Sequence, residues 1–149
     1  MQPFIHLHVH SQYSVLDGQA SVKALVDKAI ANGMRGIALT DHGNMFGIKE
    51  LTDYVNKKNK DVDGEIKNLK KTIEELKSAD AVDQEALSKA ETALKEAESK
   101  IFTPIIGCEM YVADNDMTDR SNKKDIGRHL IVLAKNHHGY HTVSYTHLR

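Results

Sequence analysis

The hydrophobic positions of the chain switch between the period of a strand and that of a helix. Residues 4–10 (FIHLHVH) alternate apolar and polar side chains, which predicts a strand. The next apolar residues fall at helical spacing: Val22, Leu25, Val26, Ala29 and Ile30. Ser21 is a suitable N-cap for this helix, and Gly33 is placed to end it. Residues 36–40 (GIALT) form a short apolar run, typical of a buried parallel strand.

The same alternation continues further along the chain. A second helix is predicted from Ile48 to about Lys58, and two more strands are predicted at 103–112 and 129–134. Strands that alternate with helices favour a parallel sheet or a βα barrel. The pattern therefore predicts the α/β class.

Residues 57–100 interrupt this alternation. About half of them are charged, and the apolar residues recur every three or four positions in two runs. The first run comprises Ile66, Leu69, Ile73 and Leu76, and the second comprises Leu87, Ala90, Leu94, Ala97 and Ile101. A turn at 78–83, with Asp83 as a helix cap, predicts an antiparallel helical hairpin inserted over 60–100. An arm that docks nucleic acid or a partner is one alternative, but the balanced charge favours a structural arm.

Composition sets the limits of the interpretation. The chain has 149 residues, enough for one domain with a core of its own. Its net charge of −1 excludes a strongly basic protein that binds nucleic acid over its whole surface. A single cysteine permits no internal disulfide, and no stretch resembles a signal peptide or a membrane span. We therefore expect a soluble, cytoplasmic protein without a membrane partner.

The motif at residues 6–11 (HLHVHS) raises the question of metal binding. Alternate residues of a strand share one face, so its histidines point the same way and two of them can converge on one transition metal. The alternative is a half-buried strand whose polar face happens to be histidine. The motif alone does not decide between the two.

Other potential ligands follow the predicted strands. Asp17 comes soon after the first strand, His42 directly follows the second, Glu109 lies within an apolar strand, and His129 begins the next one. Because the ends of neighbouring strands meet at one edge of a sheet, such side chains assemble an active site in βα barrels. The mixture of nitrogen and oxygen donors suits Zn²⁺, Mn²⁺ or Fe²⁺ better than Mg²⁺ or Ca²⁺. The sequence therefore predicts a site for transition metals.

Five motifs in this order resemble the PHP (polymerase and histidinol phosphatase) family. They are HLHVHS, YSVLDG, GIALTDHGNMFG, IIGCEMYVA and HLIVLAKN. The second and third favour the version found at the N-terminus of bacterial DNA polymerase III alpha subunits over the phosphatase relatives. The resemblance covers residues 3–141 apart from the predicted hairpin.

The resemblance implies a seven-stranded βα barrel that holds up to three divalent metal ions. The matching ligands are His8, His10, Asp17, His42, Glu109 and His129, with Asp41 as a neighbour that orients them. The implied activity is metal-dependent phosphoester hydrolysis, which in the polymerase members of the family acts as a 3′–5′ proofreading exonuclease or is lost to leave a scaffold. The implied parent is a replicative, Mg²⁺-dependent DNA polymerase whose partners are DNA, deoxynucleotides and the other holoenzyme subunits.

The end of the chain departs from the family pattern. Strands that would complete a barrel after His129 are missing, as are the polymerase regions. We therefore interpret residues 1–142 as the N-terminal part of a PHP domain and residues 143–149 as a non-native tail, and we expect the fragment alone to be inactive. Two alternatives stay open: a stand-alone phosphoesterase of the histidinol phosphatase type, and a non-catalytic scaffold stabilised by metal.

Several further residues invite a functional interpretation that their context does not favour. His6 shares the phase of the other histidines, but core packing or support of a ligand is the better expectation. The histidines at 137, 138 and 141 are expected to be exposed at the start of a helix. Cys108 is expected to be an inert, buried thiol. Asp114, Asp116 and Asp119 lack the glycine and the final glutamate of a calcium loop and are expected to lie on the surface.

Overall fold

The structure, a computed structural model, describes residues 4–79, 83–113 and 127–146. The described residues form seven helices and strands: α1 (Val22–Ala31), β1 (Gly36–Leu39), α2 (Ile48–Ser78), α3 (Gln84–Lys100), β2 (Thr103–Val112), β3 (Arg128–Leu133) and α4 (His137–Thr146). The three strands form one sheet in the order β1–β2–β3. The chain is therefore a mixed α/β structure.

Helix α1 begins and ends where its sequence predicts. The Ser21 hydroxyl accepts a hydrogen bond from the amide of Ala24 at 3.2 Å and so caps the first turn. At the other end Gly33 has a φ of +73°, and its amide donates to the carbonyl of Ile30 at 2.9 Å. Such left-handed backbone is easily reached by glycine, so the chain turns there toward β1.

The sheet combines a parallel and an antiparallel pair. Strand β1 pairs in parallel with the first half of β2, from Gly36 opposite Thr103 to Leu39 opposite Ile106. The second half of β2 pairs with β3, and this pair is antiparallel, from Gly107 opposite Leu133 to Val112 opposite Arg128. The expectation of parallel strands throughout is therefore wrong for β3. Since β2 extends beyond β1, its free second half pairs with chain that returns in the opposite direction.

Residues 4–10, predicted as a strand, are extended but do not form a regular one. The carbonyl of His6 accepts from the amide of Ala38 and that of Val9 from the amide of Thr40, both at 2.9 Å. Between these two hydrogen bonds the segment advances by three residues, from 6 to 9, whereas the chain opposite advances by two, from 38 to 40. The segment therefore contains one extra residue, and it bends at 7–8. The extra residue breaks the ladder, as in a bulge. The segment still lies beside β1, which is what the site requires.

Helix α2 runs without interruption from Ile48 to Ser78, so the predicted end near Lys58 is wrong. Its apolar residues continue at helical spacing from the core into the arm, which leaves no position for a break. In the arm α2 packs against α3, and the pairs Lys70–Glu98 at 3.4 Å and Lys77–Glu91 at 2.9 Å establish that the two helices are antiparallel. Asp83 caps α3 as predicted, whereas residues 80–82 of the predicted turn lie outside the described residues.

The core lies between α1, the start of α2 and the sheet. Val26, Leu39, Leu51 and Val55 are at most 2% exposed. At the base of the arm the buried Asn59 amide donates to the carbonyl of Phe102 at 2.8 Å, while its side-chain oxygen accepts from the Phe102 amide at 3.1 Å. This pair of bonds fixes the end of the arm against the beginning of β2.

At the other end of the chain, residues 143–146, predicted to belong to a non-native tail, continue helix α4, while 147–149 lie outside the described residues. Val143 is 5% exposed. Within the described parts of the chain, no helix combines the length and the apolar character that a membrane crossing needs.

Candidate metal centre

Glu109 is the centre of the candidate site. Its side chain is only 5% exposed, and its Oε2 lies 3.0 Å from Nε2 of His8 and 2.5 Å from Nε2 of His10. The other carboxylate oxygen, Oε1, lies 2.6 Å from Nδ1 of His129. Three imidazoles from two distant parts of the sequence therefore surround one carboxylate.

The sheet brings Glu109 to this position. The Glu109 amide donates to the carbonyl of Asp41 at 3.1 Å, and the Glu109 carbonyl accepts from the amide of Gly43 at 2.8 Å. These bonds keep the β1–β2 register three residues beyond Leu39, so that His42 lies beside Glu109. Antiparallel pairing then places His129, at the start of β3, opposite Tyr111 near the end of β2. The ends of three strands thus meet at one edge of the sheet.

A second group of side chains surrounds His42. Its Nδ1 lies 2.5 Å from Oδ2 of Asp17, and its Nε2 is in contact with the hydroxyl of Tyr111. The His42 ring centroid lies 5.8 Å from that of His10 and 4.6 Å from that of His129. The two groups therefore form one continuous cluster.

The structure brings together all six side chains that the sequence suggests as ligands. They fall into three overlapping sets of three, each with its donor atoms within 4.8 Å of one another: His8, His10 and Glu109; His10, Asp17 and His42; His42, Glu109 and His129. Donor atoms bound to one tetrahedral metal at about 2.0–2.2 Å are themselves about 3.3–3.6 Å apart. The separations of 2.5–3.0 Å between histidine nitrogens and carboxylate oxygens are those of hydrogen bonds, so each pair would need to open by about 1 Å or less to hold an ion. The residues therefore fit divalent metal ions by both donor chemistry and geometry.

Asp41 supports the loop between His10 and Asp17. Its buried carboxylate accepts hydrogen bonds from the Ser11 amide at 2.6 Å and from the Ser14 hydroxyl at 2.7 Å. The Ser14 oxygen in turn accepts from the amide of His42 at 3.0 Å. Asp41 thus connects the two loops that carry Asp17 and His42.

The loop itself is tightly folded. A Cβ at Gly18 would lie 1.9 Å from the carbonyl oxygen of Ser11, so only glycine fits where the two ends of the loop meet. Leu16, next to Asp17, has a φ of +84°, which is unfavourable for a leucine. The loop therefore holds Asp17 in one backbone arrangement at some cost in conformational strain.

The surroundings of Glu109 favour its charged form. Burial raises the pKa of the carboxyl, but the hydrogen bonds from His8 and His10 outweigh that effect and leave the pKa below its ordinary value. A carboxylate that is buried and ionised needs cationic or hydrogen-bonding neighbours. Here the only side chains seen within reach of its oxygens in the described chain are imidazoles.

Sequence reasoning missed three residues that shape the site: Ser11, Ser14 and Tyr111. Tyr111 follows Glu109 by two positions, so it shares the face of the same strand, and this spacing was available as a signal. Ser11 and Ser14 occupy the quoted motifs but carry no metal-ligand chemistry of their own. Their function depends on a buried Asp41, which no local pattern indicates.

The remaining predicted residues lie away from this cluster. His6 is exposed, contrary to the expectation of core packing, and its ring contacts Phe4 with centroids 4.7 Å apart. The histidines at 137, 138 and 141 are exposed on α4, and Cys108 is fully buried, as predicted for both. Asp114, Asp116 and Asp119 lie outside the described residues.

A mixed sheet with histidines and carboxylates gathered at one edge defines a class of α/β proteins with a candidate metal centre. Comparison with known families is more specific: the model of the PHP domain matches residues 6–146. The chain therefore belongs to the PHP domain family.

Individual relatives agree with this assignment. The chain is 38% identical over 140 residues to the DNA polymerase III subunit alpha of Treponema pallidum, 37% over 142 residues to that of Borreliella burgdorferi and 32% over 139 residues to that of Chlamydia trachomatis. Each match covers 92% of this chain. The chain spans about 8% of the length of these curated relatives.

Proposed function

We propose that this chain is the N-terminal part of a bacterial DNA polymerase III alpha subunit, and that its PHP domain is a metal-dependent 3′–5′ exonuclease. The observation that carries the proposal is the convergence of six histidine and carboxylate side chains on one edge of the sheet. The names of the relatives support the identity of the parent protein.

The ligands that we propose are His8, His10, Asp17, His42, Glu109 and His129. Their mixture of imidazole and carboxylate donors suits Zn²⁺, Mn²⁺ or Fe²⁺, and the three overlapping sets are compatible with up to three ions. Bound ions of this kind supply a hydrolytic nucleophile at neutral pH and neutralise charge on the phosphate.

The side chains of this protein prepare such a centre in two ways. Ionised Glu109 offers both of its oxygens to histidines that come from opposite ends of the described chain. Asp41, through Ser11 and Ser14, holds the loops of Asp17 and His42 in place before any ligand arrives. Preorganised donors of this kind avoid the cost of rearrangement during the reaction.

The proposed fold of the complete domain is a seven-stranded βα barrel. The described sheet has three strands, and the extended segment 4–10 lies beside β1 as a fourth element of the same layer. The boundaries proposed from the sequence, 1–142 for the PHP part with an insertion at 60–100, are part of this proposal.

The parent protein would replicate DNA. Its substrates would be DNA and deoxynucleotides, its polymerase reaction would use Mg²⁺, and its partners would be the other polymerase III holoenzyme subunits in the cytoplasm. We expect the 149-residue chain alone to be inactive, since it spans a small fraction of the length of the relatives.

One observation favours a second candidate, a scaffold without hydrolytic activity. Glu109 connects segment 4–10, the loop after β1 and the start of β3, so its loss would loosen the fold whatever the chemistry of the site. Metal bound there would stabilise the domain in either case. The two functions differ only in whether DNA ends are removed.

The test uses the longest natural form of the protein with His8→Ala and His10→Ala combined. Removal of a mismatched 3′ end and extension of a matched primer are measured side by side, with Mn²⁺ and with Zn²⁺. We expect the double variant to lose end removal and retain primer extension, because both histidines belong to the proposed centre. The matched control, His137→Ala with His138→Ala, changes two exposed histidines on α4 and should affect neither reaction.

Two outcomes would contradict the proposal. End removal by the double variant, in a preparation free of other nucleases, would exclude these histidines from the reaction. A wild-type protein that binds metal but removes no ends would favour the scaffold. Absence of primer extension together with hydrolysis of small phosphate esters would instead favour a stand-alone phosphoesterase.

A further inference from the structure

A cleft beside the metal centre is not used by the proposed chemistry. It has a volume of about 530 Å³, within the range of about 300–1,000 Å³ that ligand pockets occupy. We call it the aromatic cleft. Its aromatic lining comprises Tyr13, Phe46 and Tyr54, and its basic lining comprises Lys23, Lys49 and Lys57.

Phe46 is held in an exposed position by its own loop. The side chain is 75% exposed, yet the Phe46 amide donates to the side-chain oxygen of Asn44 at 3.1 Å. The Asn44 amide group donates to the carbonyls of Tyr13 at 2.9 Å and His42 at 3.1 Å. Next to Phe46, a Cβ at Gly47 would lie 2.7 Å from the Leu39 side chain, so this part of the loop is packed against the core. An aromatic ring presented to solvent by a well-packed loop suits a ligand with a flat apolar face.

The charges of the cleft favour an anionic ligand. Of its two carboxylates, Glu50 accepts a hydrogen bond from the Tyr13 hydroxyl at 3.1 Å and Asp53 pairs with Lys49. Lys23 and Lys57 form no ion pair within the described part of the chain. Two lysines are therefore available to phosphate groups beside the exposed Phe46 ring and the half-buried rings of Tyr13 and Tyr54. Basic and aromatic side chains in combination are typical of sites for single-stranded nucleic acid.

The cleft is built partly on the two loops that carry candidate ligands, although none of the six candidate ligands lines it. Its walls include Tyr13 from the loop that carries Asp17, and Phe46 from the loop that carries His42. Asn44 bonds to both loops. A strand that occupied the cleft would therefore lie against the two loops that carry Asp17 and His42.

We infer that the aromatic cleft binds the unpaired 3′ end of a DNA strand, with Phe46 stacked on a base and Lys23 and Lys57 near the backbone phosphates. This inference rests on the proposed function, because it names how the substrate of that centre is held. It favours unpaired bases, since a base inside a duplex is covered on both faces and only the terminal pair leaves one face free for Phe46. The cleft thus favours frayed or mismatched ends.

The first test locates the contact without requiring hydrolysis. An eight-residue oligothymidylate carries 5-iodouracil as its 3′-terminal base and a phosphorothioate at the last linkage, and it is irradiated with the longest natural form of the protein. Mass spectrometry of the crosslinked peptides should identify residues of the aromatic cleft. A crosslink at another DNA-binding site of the protein does not confuse the result, because mass spectrometry identifies each crosslinked peptide separately.

The second test measures KM and kcat for removal of nucleotides from the same oligothymidylate without the modifications. Phe46→Ala should raise KM about tenfold, since it removes the ring on which the base stacks, and should leave kcat nearly unchanged. Phe46→Trp should restore KM. Lys57→Gln should raise KM and weaken the dependence of KM on salt. The control Lys67→Gln, which replaces an exposed lysine further along the same helix, should change neither KM nor its salt dependence.

The outcomes separate this inference from the proposed function. A crosslink in the cleft without any end removal would overturn the exonuclease and support the cleft as a strand-binding site. End removal with no crosslink in the cleft, or with an unchanged KM for Phe46→Ala, would overturn the inference alone. If thymidine monophosphate suppresses the crosslink as strongly as the unmodified oligothymidylate does, the cleft is a site for small phosphate esters. That result would also overturn the inference.

Discussion

At the scale of single residues, a buried carboxylate organises each part of the centre. Glu109 has imidazoles around it, and Asp41 has the hydroxyl and amide groups of the loop at 11–14. Both side chains are at most 5% exposed, so their partners replace water as the source of hydrogen bonds. Removal of either carboxylate would therefore leave buried hydrogen-bond donors of the site without an acceptor.

The first prediction concerns Asp41. Asp41→Asn keeps the volume but replaces one accepting oxygen with a donating group, while Ser11 and Ser14 still offer their hydrogens. Hydrogen bonds to a charged group are worth about 1.5–3 kcal/mol each, so we expect the free energy of unfolding to fall by about 2–3 kcal/mol. Urea denaturation measures this loss. Asp53→Asn, which changes an exposed carboxylate in a surface ion pair, should cost less than about 1 kcal/mol. Equal losses in the two variants would contradict the assigned position of Asp41.

The second prediction concerns Cys108, the single cysteine of the chain. Burial raises the pKa of its thiol to about 11. At pH 8 about 0.1% of the thiol is then ionised, so a disulfide reagent such as dithionitrobenzoate should react at least 100-fold more slowly with the folded protein than with protein in guanidinium chloride. Equal rates in the two solutions would mean that β2 is not packed as described.

At the scale of helices and strands, the arm and the centre are separate. Helices α2 and α3 pack against each other beyond Asn59, and none of the six candidate ligands lies on either helix. The centre is built instead from strand ends and from the two loops that follow segment 4–10 and β1. The arm therefore adds no donor to the candidate site.

The third prediction is that the arm can be removed without loss of the centre. Replacement of residues 60–99 by a short Gly-Ser linker keeps Asn59 and Phe102, whose mutual hydrogen bonds hold the two ends close together. Closure entropy changes by only about 0.6 kcal/mol per doubling of loop length. We expect unchanged metal content by elemental analysis.

The control for this deletion is Asn59→Ala in the complete chain. It leaves the buried amide and carbonyl of Phe102 without their partner and should cost about 1–3 kcal/mol in the free energy of unfolding. If the deletion removes the metal although Asn59 and Phe102 are intact, the arm contributes to the centre and this prediction is wrong.

At the scale of the whole molecule, the centre joins parts of the chain that are far apart in sequence. His8 and His129 both contact Glu109, so one cluster connects the beginning and the end of the described chain. A ligand that binds only the folded state stabilises it by RT ln(1 + L/Kd), where L is the free ligand concentration. Metal bound here would therefore stabilise the entire domain.

The fourth prediction follows from this connection. Treatment with a chelator should lower the thermal midpoint of the wild type, and Zn²⁺ or Mn²⁺ should restore it. At a free metal concentration 100 times Kd the stabilisation is about 2.7 kcal/mol. Glu109→Gln should reduce the response strongly without abolishing it, because this side chain belongs to two of the three ligand sets and the set of His10, Asp17 and His42 remains. A chelator effect of the same size in that variant would place the metal elsewhere.

Local sequence patterns determined most of the secondary structure. Helix α1 has its predicted cap and stop, strand β2 covers the predicted residues, and Asp83 caps α3. These features depend on hydrophobic period and on hydrogen bonds between near neighbours, both of which can be derived from adjacent residues. The ligand types and their order along the chain were equally apparent, and they were sufficient to indicate the PHP family, to which the chain belongs.

Only the tertiary structure decided how these elements meet. The antiparallel direction of β3 and the bend in segment 4–10 both depend on neighbours distant in sequence. So do the support of Asp41 by Ser11 and Ser14 and the exposure of Phe46 beside the centre. The physical reason is that pairing direction, burial and the partners of a polar group are properties of contacts between segments, and a local pattern specifies which residues need partners without specifying which partners they find.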